Sequence, residues 1–500
     1  MIMNAVIKKN FIFSYVLTSV AKMRPLVQTA KLLTMNCRVN QNGRRGFVTT
    51  AHFRNHCQQQ GGVWVQASPR ICLHDVHTQI KVGGFTPDSR VTVRADLIDE
   101  HGKRFSSNAH FITDGKGRVD LENAASVGGS YSGVFPAGLL TTLSSLPTEQ
   151  KYYRLFRRNP LKPWKITLSV FDGHIDLSTE ADSLAKIELE RHLTAPGTQR
   201  VEVRHGKVRG ALYLPPGPGP FPGVIDIFGF IGGLFEFRSA MLASRGIASL
   251  ALAVFNYDDL PPTPSEIHFE YFEEAMQVLM NQPQVIPDRC GVVCNSKSGD
   301  IGFNMAILFD EVKAVIGINA LTFPFYSQYY YRGKQFITSM VLPGNALVTD
   351  SDGMSYCDLE PFFCSSNPHM IPVEEAAEDT NFMVVCGDDD TGGFKASIPP
   401  FEERMRKANK TNYETILYKG LGHLAHPPFD PLCYASHQPH LPLAEGNEGK
   451  GFTFKWGGTP LETCVAQVDL WKRMQAFFNK HVRDESYWYQ AYLQNANKDA

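Results

Sequence analysis

One serine of the chain stands in a pattern that could make it a catalytic nucleophile. Ser296 is flanked two residues away on each side by the small residues Cys294 and Ser298, after a short apolar run and before a helical pattern over residues 300–309. A strand that turns sharply into a helix needs small residues at these positions, and the turn exposes one hydroxyl at the edge of a sheet. The pattern therefore predicts a nucleophile elbow. Cys294 is a second nucleophilic side chain, but it is expected to point into the sheet and to be inert.

Two later segments could supply the acid and the base. The apolar run 382–386 leads into three consecutive aspartates, and the run 415–418 leads to His423. An α/β-hydrolase places nucleophile, acid and base in this chain order, each on a loop that follows a strand. His423 would take the proton from the serine hydroxyl, and a carboxylate would hold the imidazole in the required tautomer. We select Asp390 as the acid and keep Asp389 as the alternative.

The oxyanion formed in such a reaction would need two backbone N–H donors. One would belong to Lys297, which follows the nucleophile, and the other to a loop after an earlier strand. Residues 226–233 include three glycines, and glycine lets a backbone approach a substrate oxygen closely. Gly229 and Phe230 are therefore the candidate donors in this loop. His426, three residues beyond the candidate base, is interpreted as a bystander.

The elements that must position these residues follow an α/β pattern over residues 204–484. Short apolar strands alternate with helical patterns, which predicts a parallel sheet covered by helices on both faces, as in an α/β-hydrolase domain. A Pro-Gly run at 215–220 is expected to be a loop inside this domain, and residues 322–372 to be an insertion over the site. The predicted strands are 224–228, 248–253, 292–294, 314–318, 382–386 and 415–418, and the predicted helices are 237–246, 266–282, 299–309, 400–408 and 464–481.

The preceding region, residues 73–203, has alternating polar and apolar residues bounded by turn signals. Arg90–Ile98 and Arg104–Ile112 are expected to form a hairpin, and 164–171 another strand. Short strands at this spacing predict an all-β, immunoglobulin-like sandwich in front of the catalytic domain. Residues 485–500 are assigned to a carboxyl-terminal tail.

The first 72 residues are predicted to be a leader. No Asp or Glu precedes Asp75, whereas lysines and arginines recur throughout this stretch. Such a composition is typical of an organelle transit peptide, and we predict import into the mitochondrial matrix. The apolar run 11–21 also resembles a secretory signal, a leader without an address is the third interpretation, and a start at Met23 or Met35 would give a cytosolic form.

Composition excludes several classes of function. A formal net charge of −1 argues against a protein that binds nucleic acid, which usually carries a basic excess. The ten cysteines show neither a CxxC motif nor zinc-ligand spacing, so they indicate reduced thiols and no metal. No cofactor is predicted, no segment is expected to span a membrane stably, and the sequence does not specify an oligomeric state.

Several segments resemble the type I acyl-CoA thioesterase and bile acid-CoA:amino acid N-acyltransferase family. The resemblance extends from residue 73 to 484. It is carried by 129–133 (GSYSG), 136–140 (PAGLL), 221–229 (FPGVIDIFG), 255–261 (FNYDDLP), 270–275 (EYFEEA), 422–423 (GH), 427–429 (PPF), 431–433 (PLC) and 456–458 (WGG). Together these motifs are far more specific than a generic hydrolase pattern.

The resemblance implies a β-sandwich followed by an α/β-hydrolase domain, acyl-CoA thioesters as substrates, and a triad of Ser296, Asp390 and His423. Thioesterases of the family use Ser as nucleophile, whereas the amino acid transferases resemble this pattern with Cys, so Ser296 and the following Lys297 indicate the thioesterase branch. This chain departs from that branch where Ser298 and Asp300 replace the more usual Gly and Glu. Residues 318–325 look closer to the transferase branch.

Overall fold

The computed structural model of the chain describes residues 62–146, 149–155, 157–229, 231–340, 343, 346–438 and 452–483. The described residues all belong to one compact unit, and their architecture is α/β, as predicted. The division into domains at residue 203 stays a prediction. The expected leader lies outside the described residues up to residue 61, and so does the tail from residue 484.

A mixed eight-stranded sheet forms the centre of the carboxyl-terminal part. Its order is β11-β12-β14-β13-β16-β17-β22-β23, and the pairs from β14 to β23 are parallel. Buried, apolar strands of this kind are typical of a sheet covered on both faces. The strands are β11 (Gln199–His205), β12 (Val208–Leu214), β13 (Gly223–Phe228), β14 (Ala248–Leu252), β16 (Cys290–Ser296), β17 (Val312–Ala320), β22 (Asn381–Gly387) and β23 (Tyr413–Tyr418).

Helices α2–α6 lie between the strands of this sheet or after its last strand in the chain, and apolar cores lie against both of its faces. They are α2 (Phe237–Ala243), α3 (Glu270–Met280), α4 (Gly299–Leu308), α5 (Ile398–Lys407) and α6 (Pro460–His481). The predicted alternation of strands and helices is confirmed, with ends displaced by a few residues. No helix among the described residues is both long and apolar enough to cross a membrane.

Two sheets make up the amino-terminal part and share one apolar core. The predicted hairpin of Arg90–Ile98 (β4) and Arg104–Ile112 (β5) is confirmed. The first sheet has the order β1-β3-β6, and the second has β2-β10-β9-β4-β5-β7 with β8 beside β5. The remaining elements are β1 (Trp64–Ser68), β2 (Ile71–Leu73), β3 (Gln79–Gly83), β6 (Arg118–Asp120), β7 (Gly128–Gly129), α1 (Gly138–Thr141), β8 (Ser144–Ser145), β9 (Trp164–Asp172) and β10 (Ala185–His192). An immunoglobulin-like topology stays a prediction.

Two small sheets join the strands of the insertion between β17 and β22 to strands that lie outside it in the chain. One contains β15 (Glu266–His268), β18 (Gln328–Tyr331) and β19 (Lys334–Ile337). The other contains β20 (Leu347–Thr349), β21 (Met354–Cys357), β24 (Ala435–Gln438) and β25 (Phe452–Lys455).

Three expectations from the sequence differ from the structure. The leader was expected to reach residue 72, but β1 and β2 already belong to the fold, because the alternation in Trp64–Ser68 lets this segment pair with β3. The sheet is mixed and not wholly parallel, because β11 and β12 form a hairpin and β12 runs antiparallel to β14. The helix expected to begin at residue 266 begins at Glu270, because Glu266–His268 pairs with a distant strand.

Candidate active site

Ser296 occupies a strained turn between β16 and α4. Its φ is +56°, in the left-handed region that residues with side chains seldom adopt, and the pairing with β17 shifts register at this point. The turn is tight on its helix side as well: a Cβ on Gly299 would lie 2.6 Å from the Cβ of Ala320, so that position has room for glycine only. The Ser298 hydroxyl accepts the N–H of Asn295 at 3.0 Å and donates to the carbonyl of Ile227 at 2.8 Å. The backbone therefore has the form predicted for a nucleophile elbow.

His423 and Asp390 form a hydrogen-bonded pair. The distance from His423 Nδ1 to Asp390 Oδ2 is 2.8 Å, and both side chains are buried. The other Asp390 oxygen accepts the N–H of Gly392 at 2.8 Å, which fixes the carboxylate. With a proton on Nδ1, the Nε2 atom of His423 is left as the acceptor that a general base requires.

The surroundings of His423 are aromatic. Its ring stacks on Trp456 with 5.3 Å between centroids and packs against Phe394 at 4.9 Å. Its backbone N–H donates to the Trp456 carbonyl at 2.8 Å. These contacts fix the plane of the imidazole, so that the hydrogen bond to Asp390 is made with a ring already held in place.

Asp389, the alternative acid, has a different partner. Its Oδ2 atom accepts the N–H of Gly458 at 2.9 Å, and its own N–H donates to the Leu421 carbonyl at 3.1 Å. The structure thus brings Asp390 and not Asp389 to His423.

The candidate oxyanion loop follows β13. Gly229 has a φ of +56°, while Phe230 lies outside the described residues. A Cβ on Gly229 would lie 3.5 Å from Asn295 Nδ2, so this loop passes close to the residue that precedes Ser296. The buried Arg238 joins the two: it donates to the Asp226 carboxylate at 2.9 Å and reaches Asn295 Oδ1 at 3.4 Å.

A buried Lys–Asp–Tyr cluster, made of Lys297, Asp300 and Tyr329, supports the elbow and was not predicted. Lys297 Nζ donates to the Asp300 carboxylate and contacts the Tyr329 hydroxyl, which also donates to Asp300. Burial lowers the pKa of the Lys297 ammonium and raises the pKa of the Asp300 carboxyl, and each charge offsets part of the other's shift. The i,i+3 spacing of Lys297 and Asp300 was a visible signal, whereas nothing in the sequence pointed to Tyr329.

Two further candidates lie apart from the His423–Asp390 pair. Cys294 is fully buried, and burial raises the pKa of its thiol to about 12, which keeps it protonated. His426 accepts from Arg154 at 3.0 Å and lies 3.4 Å from Asp430, and burial lowers its pKa to about 4. A neutral, packed histidine of this kind agrees with its interpretation as a bystander.

These parts can perform acyl transfer through a serine. Ser296 ends β16, the pair of Asp390 and His423 follows β22 and β23, and Gly229 follows β13. In a sheet whose strands here are parallel, all of these positions lie at the same carboxyl edge, where open α/β sheets bind ligands.

Comparison with known proteins gives matches over most of the chain. The family model "Acyl-CoA thioester hydrolase/BAAT N-terminal region" matches residues 75–205, and "BAAT / Acyl-CoA thioester hydrolase C terminal" matches residues 267–484. Human bile acid-CoA:amino acid N-acyltransferase is 38% identical over 427 residues, which are 84% of this chain and 98% of that protein.

Other relatives carry thioesterase names. Mouse acyl-coenzyme A thioesterase 3 is 37% identical over 82% of this chain and 92% of its own length. Human acyl-coenzyme A thioesterase 2, mitochondrial, is 36% identical over 82% of each chain. Among solved structures, a Mycobacterium tuberculosis puromycin-hydrolyzing peptidase has a TM-score of 0.40 at 11% identity, covering 80% of this chain and 54% of that one.

Proposed function

Because the chain belongs to the acyl-CoA thioester hydrolase/BAAT family, we propose that it hydrolyses medium- to long-chain acyl-CoA to free fatty acid and CoA. The thioesterase relatives identify it as a thioester hydrolase enzyme. Its acyl substrates and the roles of its residues are part of the proposal. The observation that carries the proposal is the hydrogen bond of 2.8 Å between His423 and Asp390, at the sheet edge where the Ser296 elbow lies.

The proposed reaction has two steps. In the first, Ser296 Oγ attacks the thioester carbonyl carbon while His423 Nε2 takes the hydroxyl proton; the C–S bond then breaks, and the CoA sulfur leaves with that proton. In the second, His423 takes a proton from water, the hydroxide attacks the acyl-serine ester, and Ser296 recovers its proton as the fatty acid leaves. Asp390 stabilises the imidazolium in both steps.

The oxyanion of each tetrahedral intermediate would be bound by backbone N–H groups. We assign one donor to Lys297 and the other to Gly229 or Phe230. The Lys–Asp–Tyr cluster holds the Lys297 side chain inward, and the bridge from Asp226 through Arg238 to Asn295 holds the Gly229 loop against the elbow. Preorganised donors of this kind supply about 3–4 kcal/mol each to transition-state stabilisation.

Transfer of the acyl group to glycine or taurine is the second candidate. The 38% identity to a human amino acid N-acyltransferase favours it. The nucleophile argues for hydrolysis, because an acyl group on Cys remains a thioester that reacts with amines, whereas an acyl group on Ser is an ordinary ester suited to attack by activated water. A protein that binds acyl-CoA without turnover is the third candidate, and the hydrogen-bonded His423–Asp390 pair argues against it.

Product analysis distinguishes these candidates. The full chain is incubated with palmitoyl-CoA, with and without glycine or taurine, and thiol release and acyl products are measured. We expect free palmitate and a rate that the amino acids do not change. An N-acyl amino acid would establish the transferase, and the absence of thiol release at any acyl chain length would contradict catalysis on CoA esters.

The proposed location is the mitochondrial matrix. It rests on the acid-free first 74 residues and on relatives whose names include "mitochondrial". A fluorescent protein fused after residues 1–75 is expected to localise to mitochondria, and a purely cytosolic signal would contradict the assignment.

A further inference from the structure

Asn319 joins two loops of the site through one buried side chain. The acid loop follows β22 and carries Asp390, and the base loop follows β23 and carries His423. Its Nδ2 atom donates to the carbonyl of His423 at 2.9 Å and to the carbonyl of Gly422 at 3.1 Å, and its Oδ1 atom accepts the N–H of Gly387 at 2.8 Å. The orientation of the amide is fixed by these partners, because carbonyls only accept and a backbone N–H only donates. The side chain has no exposed surface.

The backbone around Asn319 also holds the nucleophile. Ala320 pairs with Ser296 at the register shift between β16 and β17, and the N–H of Leu321 donates to the Ser296 carbonyl at 3.0 Å. Residues 319–321 therefore contact all three parts of the catalytic site: the elbow through their backbone, and the acid and base loops through the Asn319 amide.

We propose that Asn319 is a positioning residue, which sets the base His423 and the acid Asp390 at the correct distance from Ser296. This role rests on the proposed function. It requires an asparagine for two physical reasons. The residue has a φ of +42°, which Asn tolerates better than other residues with side chains. The site also needs two N–H donors and one acceptor on a short planar group, which aspartate and leucine lack.

The acid and base loops also contact each other directly, but these contacts do not fix their distance from Ser296. Asp388 accepts the N–H of Gly420 at 2.6 Å, and the N–H of Asp389 donates to Leu421. Gly387 lies so close to the base loop that a Cβ there would meet the Leu421 carbonyl at 2.0 Å. These contacts join the two loops to each other, whereas Asn319 joins both loops to the strand that is paired with the nucleophile.

The test compares two isosteric substitutions at opposite ends of the sheet. Asn319→Asp keeps the size and the acceptor for Gly387 but places a carboxylate against two carbonyls. Asn412→Asp is a control for the same chemical change at a part-buried position: Asn412 Nδ2 donates to the carbonyl of Thr380 where β22 and β23 begin, far from their carboxyl ends. The unfolding midpoint, and kcat and KM for palmitoyl-CoA, are measured for wild type, both variants and Asn319→Gly, which tolerates the positive φ.

We expect Asn319→Asp and Asn319→Gly to lower kcat by about tenfold to a hundredfold, the loss typical of a misplacement of about 1 Å, with KM changed by less than about twofold. Asn412→Asp should lower the unfolding midpoint but leave kcat within about twofold. A smaller folded fraction would also lower the apparent kcat at unchanged KM, so each kcat is divided by the folded fraction at the assay temperature. The control then shows what a loss of stability alone does to kcat.

The remaining outcomes separate failure of the proposed function from failure of the positioning role. If wild type releases no thiol, the proposed function fails. If wild type is active and folded Asn319→Asp or Asn319→Gly retains kcat within about twofold, or if Asn412→Asp loses as much kcat as they do, the positioning role is wrong while the proposed function stands. Failure of both Asn319 variants to fold would make the residue part of the core and would also overturn the positioning role.

Discussion

Tyr329 donates its hydroxyl hydrogen to the Asp300 carboxylate, and this bond joins the insertion after β17 to the first turn of the helix that follows Ser296. Lys297 completes the cluster, and all three side chains are buried. The segment expected to be an insertion over the site is therefore hydrogen-bonded directly to the nucleophile elbow. We expect substitutions in the insertion to alter kcat through this hydrogen bond, even where the substituted residue does not contact the substrate.

The buried pair of Lys297 and Asp300 should show strong energetic coupling. Lys297→Met leaves the Asp300 carboxylate without its counter-charge and is expected to lower the free energy of unfolding by about 3–5 kcal/mol. Lys297→Met combined with Asp300→Asn should lose less than Lys297→Met alone, because the buried charge is then absent. Urea unfolding of the two single variants and the double variant measures this. Additivity within about 0.5 kcal/mol would contradict the coupling.

Separate asparagine substitutions distinguish Asp390 from Asp389. Asp390→Asn should lower kcat by about 10⁴-fold, the size of the effect when a triad loses the group that orients its histidine. Asp389→Asn should retain most activity, because its carboxylate bonds to Gly458 and not to His423. Thiol release measured on both proteins decides the assignment, and equal or reversed losses would overturn it.

His426 should make the fold sensitive to acid. Burial lowers its pKa to about 4 in the folded state, and the unfolded value is near 6.5, so the unfolded chain takes up the proton first as pH falls. The contribution of His426 to the free energy of unfolding is therefore fully present above pH 6.5 and is lost as the pH falls below that value. The loss is about 1.4 kcal/mol per pH unit and reaches about 3 kcal/mol at most.

A variant isolates the share of His426 in this loss. His426→Gln can still accept from Arg154 but does not titrate, so its unfolding midpoint should fall less than that of wild type between pH 7 and pH 5. His74, whose pKa burial also lowers, remains in both proteins. Identical pH profiles for wild type and variant would rule out His426 as the titrating group.

The sequence predicted the parts of the site that depend on local patterns. The elbow at Ser296 requires small neighbours, and the loops carrying Asp390 and His423 follow apolar strands, so residue types and order were enough to place them. The β4–β5 hairpin was predicted to the residue because its alternation is regular and its turn is polar.

Contacts between distant segments were not predictable in this way. Tyr329 reaches Lys297, Asn319 reaches His423, and β15 pairs with β18, yet none of these partners is near the other in the sequence. The leader was assigned too long for a related reason: absence of acidic residues describes composition, whereas the strand at Trp64–Ser68 is defined by pairing with β3.

Ser296 is proposed to attack the thioester, and the most direct test compares it with Cys294, a second nucleophilic side chain two residues away. Thiol release from palmitoyl-CoA is measured for wild type, Ser296→Ala and Cys294→Ala. We predict that Ser296→Ala lowers kcat by at least about a thousandfold. Cys294→Ala should remain within about tenfold of wild type, because its thiol is buried and protonated. A Ser296→Ala protein that is folded and releases thiol at the wild-type rate would contradict the account.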